Sequence, residues 1–585
     1  METLDVTVIG AGWSGLAALK TYRQVDPSAS IVLLESAASV GGVWAKHRLY
    51  AGLKSNNMLG TYEFSDFPMD ASFGVQPGQH IPGTVIQQYM ERFVEHFQLT
   101  PFLRLNTRVR IAEQNADGTW TLTIDDNDGE KTVVSKKLIV CTGITSQPYL
   151  PTIAGQDSFD APLFHCRDLP QHQDNLLRPD KRIAVFGGTK SAWDAVYAAA
   201  TAGAHVDWII RDNGHGPVWM APAYVTPLKK WLEKLVTTRL LTWFSPCIWG
   251  DADGCSTIRN LLHGTWLGRK IVDIFWSILG NDVIALNKFD AHPETRKLKP
   301  WISPFWVASG LSILNYPTNF FDLVTEGKVH IHIDHITHLT SHTVHLASGS
   351  PIPSDTLICA TGWQATPNID FRPSNLAQTL GFPWEEDPIP QSVVQHADAE
   401  ILARFPRLAT PPPRSASYTP LAPGAPATAK HPFRLARFMV PPALAQPRSI
   451  AFMGLAMTIN TTMLAQAQAL WIAAYFTDNL ALVPRERCPA PLRKTLEPED
   501  SADLIWETAL HSQFGVHRYR GGFGKRNPDF VFDAVPYVDL LLRDLGLDYT
   551  RKGALKWLEP YGVEDYRGLV DEWLVARDDV GKKDN

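Results

Sequence analysis

The chain has 585 residues, of which 45% are hydrophobic and 19% are charged, and its formal net charge is −6. This length predicts two to four domains or subdomains, and the composition is ordinary for a folded soluble enzyme. The negative charge gives no electrostatic reason to expect nucleic acid or an anionic membrane as a partner. The six cysteines contain no C-x-x-C pair, which argues against a redox dithiol or a zinc site and suits a reducing compartment. We expect a cytoplasmic protein with no metal ion, no signal peptide and no transmembrane segment.

The first predicted unit, residues 5–45, has the pattern strand, glycine turn, helix, strand and second glycine turn. The first turn has the spacing G-x-G-x-x-G. Its first glycine makes the bend, its second admits a pyrophosphate, and its third lets helix and strand pack closely. An acid follows at the end of the next strand, where a carboxylate can bind ribose hydroxyls. The pattern predicts a dinucleotide site, with a glycine turn that binds no ligand as the alternative. The predicted contacts are Gly10, Gly12, Trp13, Ser14, Gly15 and Glu35.

Residues 103–143 alternate like short strands and predict an antiparallel excursion from the first sheet. A second strand–turn–helix unit opens at Lys181, but Thr189 and Ala192 replace the second and third glycines of its turn. An arginine ends the following strand, where its planar fork would favour the 2′-phosphate of NADPH; a solvated strand end is the alternative. The predicted contacts are Gly187, Gly188, Lys190, Ser191 and Arg211.

The rest of the chain has no further nucleotide motif. Residues 215–320 are rich in tryptophan and predict a helical insertion, whose aromatic side chains suggest a substrate cavity. The core of a helical subdomain, or an amphipathic surface resting on a membrane, are the alternatives for this segment. Residues 405–447 are rich in proline and predict a long surface loop or a partly disordered segment, and residues 481–585 predict mostly amphipathic helix.

Several segments resemble the flavin-containing monooxygenase family. Residues 41–44, Gly-Gly-Val-Trp, match the family's G-G-x-W segment along FAD, and residues 50–57 and 62–68 match its segment beside the isoalloxazine ring. The resemblance implies that Asn56 faces the flavin and positions the oxygenated intermediate, whereas on its own residue type Asn56 could form a turn. It also implies FAD contacts or domain linkers at Gly42, Val43, Trp44, Val109, Thr142, Thr361, Gly362 and Gly454.

Residues 159–169 resemble the family's monooxygenase fingerprint. Phe159 and His165 match it, whereas Ala161 replaces a glycine and Leu169 replaces an aromatic residue. The Baeyer–Villiger subgroup requires tryptophan at the last position, so Leu169 counts against that subgroup. His165 is interpreted as a hinge residue between two domains and not as a proton donor.

The implied fold is α/β, with two Rossmann-like dinucleotide-binding domains, a helical insertion and a helical C-terminal region. The predicted FAD-binding domain comprises residues 1–165 and 356–480, and the NADPH-binding domain, residues 166–355, interrupts it.

The implied activity is a secondary-metabolism monooxygenase. NADPH reduces FAD, the reduced flavin forms a C4a-(hydro)peroxide with O2, and one oxygen atom enters a small, hydrophobic organic substrate. Two alternatives remain: a flavoprotein reductase or dehydrogenase that inserts no oxygen, and a non-catalytic flavin-binding interaction protein.

Overall fold

The computed structural model describes residues 2–308, 310–364, 367–413, 416–419, 429–496, 499–520, 524–553 and 556–583. Two large sheets organise these residues, each with helices packed against it. The helices of eight residues or more are Trp13–Val25, Gly83–His96, Leu169–Leu176, Lys190–Thr201, Trp266–Leu286, Gln391–Arg404, Thr461–Phe476, Ala502–Arg518, Ala534–Asp544 and Leu569–Lys583.

The first sheet has a parallel part that continues into an antiparallel part. Its central strand, Glu2–Ile9, pairs in parallel with a neighbour on each side, and its last four residues, 6–9, are all buried. Since successive side chains point to opposite faces, both faces of this strand are covered. In spatial order the strands are Asp370–Arg372, Arg108–Gln114, Trp120–Asp126, Gly129–Val140, Glu2–Ile9, Ile31–Leu34 and Leu103–Arg104, and Ile450–Phe452 also pairs with Gly129–Val140.

The second sheet is parallel throughout. Trp193, on helix Lys190–Thr201, packs edge to face on Trp208 of the sheet with ring centroids 5.1 Å apart, and both indoles are fully buried. The strands in spatial order are Leu163–His165, Thr356–Cys359, Arg182–Phe186, His205–Ile210 and Val329–Ile333. Two sheets of this kind, each opening with strand, turn and helix, confirm the predicted α/β class with two Rossmann-like units.

The chain crosses between the two sheets at two adjacent linkers. Gln147–Pro148 on the outward crossing pairs antiparallel with Trp363–Gln364 on the return. The crossings therefore lie side by side, in the manner expected when one domain interrupts another. The domain boundaries given above stay predictions.

Smaller strands complete the described part of the chain. They form one hairpin-like pair near the first sheet, two pairs in the insertion and one three-stranded sheet beside the second domain. In that order they are Lys54–Met58 with His80–Pro82, Trp219–Ala221 with Leu311–Ile313, Tyr224–Val225 with Lys230–Trp231, and Ile336–Thr340 with Thr343–Leu346 and Pro351–Pro353.

The tryptophans of the insertion serve mainly as core. Trp249 and Trp276 are 5% and 1% exposed and pack edge to face on Phe530 and Phe532 of the C-terminal region. The insertion and the C-terminal helices thus share one hydrophobic core. The helical-core alternative describes these two residues better than an open cavity does. By contrast, Trp266 is 68% exposed.

The proline-rich segment 405–447 is not a surface loop throughout, so that prediction is wrong for part of its length. Residues 431–440 are buried, and the guanidinium groups of Arg434 and Arg437 form ion pairs with Asp387 and Asp544, each at 2.6 Å. Buried cations need such partners. Residues 414–415 and 420–428 of the segment lie outside the described residues. Among the described helices, none combines the length and the apolarity needed to cross a bilayer.

Candidate functional site

The first glycine turn has two glycines fixed by packing and one where an added Cβ would make only an ordinary contact. Gly10 has φ +105°, and a Cβ there would lie 2.7 Å from the carbonyl oxygen of Cys141. A Cβ at Gly15 would overlap the carbonyl oxygen of Gly10. At Gly12 the nearest atom to an added Cβ is Cα of Gly42, at 3.6 Å. The turn therefore leaves a free approach only at its middle glycine, where a pyrophosphate would pass.

Glu35 is anchored to the same turn. It follows strand Ile31–Leu34, and its carboxylate accepts hydrogen bonds from the backbone N–H groups of Ala11, at 2.7 Å, and Ala37, at 2.8 Å. The N–H of Thr107 bonds its carbonyl oxygen at 2.8 Å, just before the strand that carries the buried Val109. The predicted ribose-binding acid is thus held at the edge of the turn.

Residues 41–44 lie against the turn as well. The N–H of Gly41 donates to the carbonyl oxygen of Ala11 at 2.9 Å, and a Cβ at Gly42 would be 3.0 Å from Cα of Gly12. Val43 is 37% exposed, and the indole N–H of Trp44 donates to the Tyr62 hydroxyl at 3.1 Å. The structure therefore brings together the two glycine segments that the sequence separates by about thirty residues.

Gly454 and Thr142, each just after a strand of the first sheet, also lie at the first site. Gly454, with φ +72°, sits so close to Ser14 that an added Cβ would lie 2.8 Å from its hydroxyl oxygen. The Thr142 hydroxyl follows strand Gly129–Val140 and is buried without a hydrogen-bond partner among the described residues. An orphaned buried hydroxyl fits a ligand that would supply the missing bond. Trp13 differs, because its indole packs on Tyr62 in the core and leaves only its backbone to face a cofactor.

Asn56 lies in strand Lys54–Met58, so the turn-forming alternative does not hold. Its side chain is half-buried and has no hydrogen-bond partner within the described ranges. Its neighbour Asn57 points the other way, and its amide donates to Glu233 at 2.6 Å and to the carbonyl oxygen of Ile459 at 2.9 Å. Since successive strand side chains face opposite sides, this anchoring of Asn57 sets the direction of Asn56.

Glu233 is a site residue that the sequence reasoning missed. Its side chain is 2% exposed and accepts hydrogen bonds from the Trp231 indole at 2.7 Å, the Thr61 hydroxyl at 2.8 Å and the Met58 N–H at 3.0 Å, in addition to Asn57. Burial raises the pKa of its carboxyl to about 7. The acid comes from the insertion and ties it to the strand of Asn56. A lone glutamate in a helix-forming segment gave no signal of this.

The second glycine turn is more closed than the first. A Cβ at Gly187, which has φ +138°, would overlap the carbonyl oxygen of Ala360, so this glycine is required by packing. A Cβ at Gly188 would lie 2.8 Å from the carbonyl oxygen of Gly216. The backbone of Gly216 therefore covers the second turn at Gly188, whereas the first turn is open at Gly12.

The polar side chains of the second site already have protein partners. Lys190 pairs with Asp194 and donates to the side-chain oxygen of Asn315 at 3.1 Å. Arg211, at the end of strand His205–Ile210, donates to the carbonyl oxygen of Thr419 at 2.9 Å. The hydroxyl of Ser191 faces the thiol of Cys166. Phosphate contacts of these three residues stay predictions.

The two linkers meet at Thr361 and Gly362. The Thr361 hydroxyl donates to the carbonyl oxygen of Tyr149 at 2.6 Å, and the N–H of Tyr149 donates to the carbonyl oxygen of Gly362 at 3.0 Å. Beside them His165 packs edge to face on Trp363, and burial lowers the pKa of its imidazole to about 4. A neutral, buried ring suits a structural role better than proton donation.

Arg526 is a second residue that the sequence reasoning missed. It is half-buried, and burial lowers the pKa of its guanidinium to about 10. Within the described part of the chain it has no hydrogen bond or ion pair, and its Nη1 lies 3.9 Å from where a Cβ on Gly362 would stand. The segment that carries it pairs with Met457, near Gly454. An unpaired cation therefore sits between the linkers and the last turn of the first site.

Comparisons with known proteins agree with this geometry. The family profile described as flavin-binding monooxygenase-like matches residues 3–243. The FAD-dependent monooxygenase rstn6 of Aspergillus nomiae is 33% identical and resA of Aspergillus sclerotiorum is 34% identical, each with 98% of both chains covered. A cyclohexanone monooxygenase from Rhodococcus sp. Phi1, solved with NADP+, shares the fold at 16% identity, with a TM-score of 0.56 and 98% of both chains covered. The chain belongs to the flavin-binding monooxygenase-like family.

Proposed function

We propose that the chain binds FAD at residues 10–15 and NADPH at residues 187–192, and that it transfers one oxygen atom from O2 to a small organic substrate. The observation that carries this proposal is the meeting of two strand–turn–helix units at one double linker, with an open approach at Gly12. Family membership and the names of the FAD-dependent relatives support FAD as the cofactor.

The residues present fit FAD. Gly12 leaves space for a diphosphate at the N-terminus of helix Trp13–Val25, where free N–H groups favour negative charge. We propose that the carboxylate of Glu35, held by the N–H groups of Ala11 and Ala37, binds the ribose, and the Thr142 hydroxyl has a hydrogen bond to offer. The chemistry that FAD supplies when bound is acceptance of a hydride from NADPH and activation of O2.

We propose that Asn56 and Glu233 act as a pair with separate roles. The free amide of Asn56 offers a hydrogen bond to the reacting oxygen. Glu233 is a positioning residue, because it holds Asn57 and Met58 and thereby orients the strand. A neutral carboxyl could still accept most of these bonds, so its protonation changes the strength of the anchor and not its geometry.

For the second cofactor we propose Gly187, Gly188, Lys190, Ser191 and Arg211 as contacts. Bound NADPH would replace the protein partners that Lys190 and Arg211 have in this structure. The guanidinium of Arg526, which has no ion pair with another described residue, is proposed to bind an anionic group, either a phosphate of NADPH or a carboxylate of the substrate, because a partly desolvated cation without a partner is costly.

The proposed substrate is a hydrophobic intermediate of secondary metabolism. Similarity to fungal FAD-dependent monooxygenases over 98% of this chain supports this class. We also propose a cytoplasmic location, which the six unpaired cysteines support.

The test uses purified holoenzyme with candidate substrates. NADPH oxidation, O2 uptake and peroxide release are followed together with and without substrate. A monooxygenase should show substrate-stimulated NADPH oxidation with little peroxide. If NADPH oxidation reduces an added electron acceptor and consumes no O2, the protein is a reductase. If the protein binds flavin but oxidises no NADPH, it is a non-catalytic flavin-binding protein.

A further inference from the structure

Helix Trp266–Leu286 of the insertion has an apolar face that nothing in the described chain covers. Leu267, Ile271, Ile274 and Ile278 recur at intervals of three or four residues and are 63%, 43%, 59% and 59% exposed. The opposite face is the ordinary buried one, formed by Gly268, Val272, Trp276, Leu279, Gly280 and Val283. The helix is therefore apolar on both sides, which a soluble surface helix avoids.

Further exposed apolar side chains extend this face at both ends. Leu261 and Trp266, at the start of the helix, are 61% and 68% exposed. Leu228 is 77% exposed on the hairpin between strands Tyr224–Val225 and Lys230–Trp231. The hairpin is fixed to the helix, because the N–H of Thr226 donates to the Asp282 carboxylate at 2.6 Å. We call these side chains, with the four of the helix, the apolar face.

Positive charge exceeds negative charge around the apolar face. Both acids of the helix are engaged at its edges, Asp282 by the hairpin and Asp273 by the guanidinium of Arg407 at 2.8 Å. Four exposed lysines lie on the helix, at its C-terminal end and on the hairpin, and none forms an ion pair with another described residue. They are Lys229, Lys230, Lys270 and Lys288.

We propose that the apolar face docks on the surface of a phospholipid bilayer. Aliphatic side chains with one tryptophan and flanking lysines match the interface between acyl chains and anionic headgroups. A second copy of this chain fits less well, because a two-fold contact would bring the same lysines together, and Asp282 is the one acid of the helix without a cation partner among the described residues. The helix would lie in the plane of the interface, since it is too polar to cross the bilayer.

Docking would place the insertion, which also carries Glu233, at the lipid surface. Hydrophobic substrates partition into bilayers, so a docked enzyme would meet a higher local concentration of them. Docking does not depend on the proposed oxygenation, and it is measured without turnover.

The test is sedimentation of the flavin-loaded protein with vesicles of phosphatidylcholine, with and without phosphatidylserine. Wild type should bind both and prefer the anionic vesicles. The double variant Ile274→Glu, Ile278→Glu should lose about a hundredfold in partition coefficient, because two buried apolar contacts become charged. Lys270→Gln with Lys288→Gln should lose only the anionic preference, about fivefold per lysine. Val575→Glu, at a residue 63% exposed on another helix, is the matched control and should not change binding.

Bound flavin and thermal stability confirm that each variant is folded. Failure of the wild type to sediment with either vesicle would overturn the proposal. Dimers in dilute solution that dissociate in the Ile274→Glu, Ile278→Glu variant would overturn it as well, in favour of a second copy as the occupant.

Discussion

The two glycine turns of this protein differ in how far each is prepared for its cofactor. At the first, a Cβ on Gly12 would make only one ordinary contact, at 3.6 Å, and Glu35 is already held in place. At the second, Gly188 is covered by the backbone of Gly216, and Arg211 binds Thr419. A preformed site holds its ligand throughout a reaction cycle, whereas a site that must exchange partners suits a ligand that enters and leaves. We expect FAD to stay bound and NADPH to exchange.

The largest expected effect comes from a substitution in the first glycine turn. Gly12→Val should abolish FAD binding, because a branched side chain would fill the approach that the pyrophosphate needs. Absorbance of the purified protein and flavin released on denaturation measure occupancy. Gly264→Val is the control, since a Cβ there meets no atom within 4 Å. Full flavin occupancy in Gly12→Val would show that the site is misplaced.

The next largest effect concerns Glu233, whose carboxylate holds strand Lys54–Met58 beside the first site. The folded-state pKa of Glu233, about 7, exceeds its ordinary 4.5, so the folded protein binds this proton more tightly. The resulting stabilisation is complete below pH 4.5 and is lost as pH rises through 7, by about 3 kcal/mol in all. Glu233→Gln cannot titrate and should show a correspondingly smaller decline in unfolding free energy across this window. Equal declines, measured by urea unfolding, would contradict the assignment.

Arg211→Ala tests the second turn. It should weaken the binding of NADPH about ten- to a hundredfold and leave the binding of NADH unchanged, because only NADPH has the 2′-phosphate that a guanidinium would pair with. Equilibrium binding of NADP+ and NAD+ gives the readout without turnover. A similar loss for both nucleotides would mean that Arg211 supports the fold through Thr419 and does not read the phosphate.

Arg526→Gln should weaken binding of one anion about tenfold, with the cation-retaining Arg526→Lys intermediate. If the partner is a phosphate of the cofactor, the dissociation constant of NADP+ rises. If it is a carboxylate of the substrate, NADP+ binding is unchanged and the KM of acidic substrates rises. Unchanged binding of both would leave Arg526 without the proposed role.

The smallest effect contrasts two adjacent asparagines. Asn56→Ala should keep FAD and its reduction by NADPH but release severalfold more peroxide, because the oxygenated flavin loses one hydrogen bond. Asn57→Ala should instead lower stability, since it releases Glu233 and Ile459. Stopped-flow decay of the oxygenated flavin compares the two variants. An unchanged lifetime and product yield in Asn56→Ala would remove that residue from the active site.

Local patterns predicted the features that depend on local geometry. The strand–turn–helix units around Gly12 and Gly187 were readable because each is continuous in sequence. Glu233 and Arg526 were not predictable, because their partners lie far away in sequence. The burial of residues 431–440 was hidden by a proline-rich composition, and the lysines near the apolar face by a negative net charge.

The central claim is oxygen transfer, and the mass of the product formed under 18O2 tests it most directly. Flavin-loaded enzyme, NADPH and a turned-over substrate should give product heavier by a single 18O atom, with the second labelled atom in water. Product whose new oxygen atom comes from water would contradict the account. The account would also be contradicted if substrates that stimulate NADPH oxidation yield no 18O-labelled product.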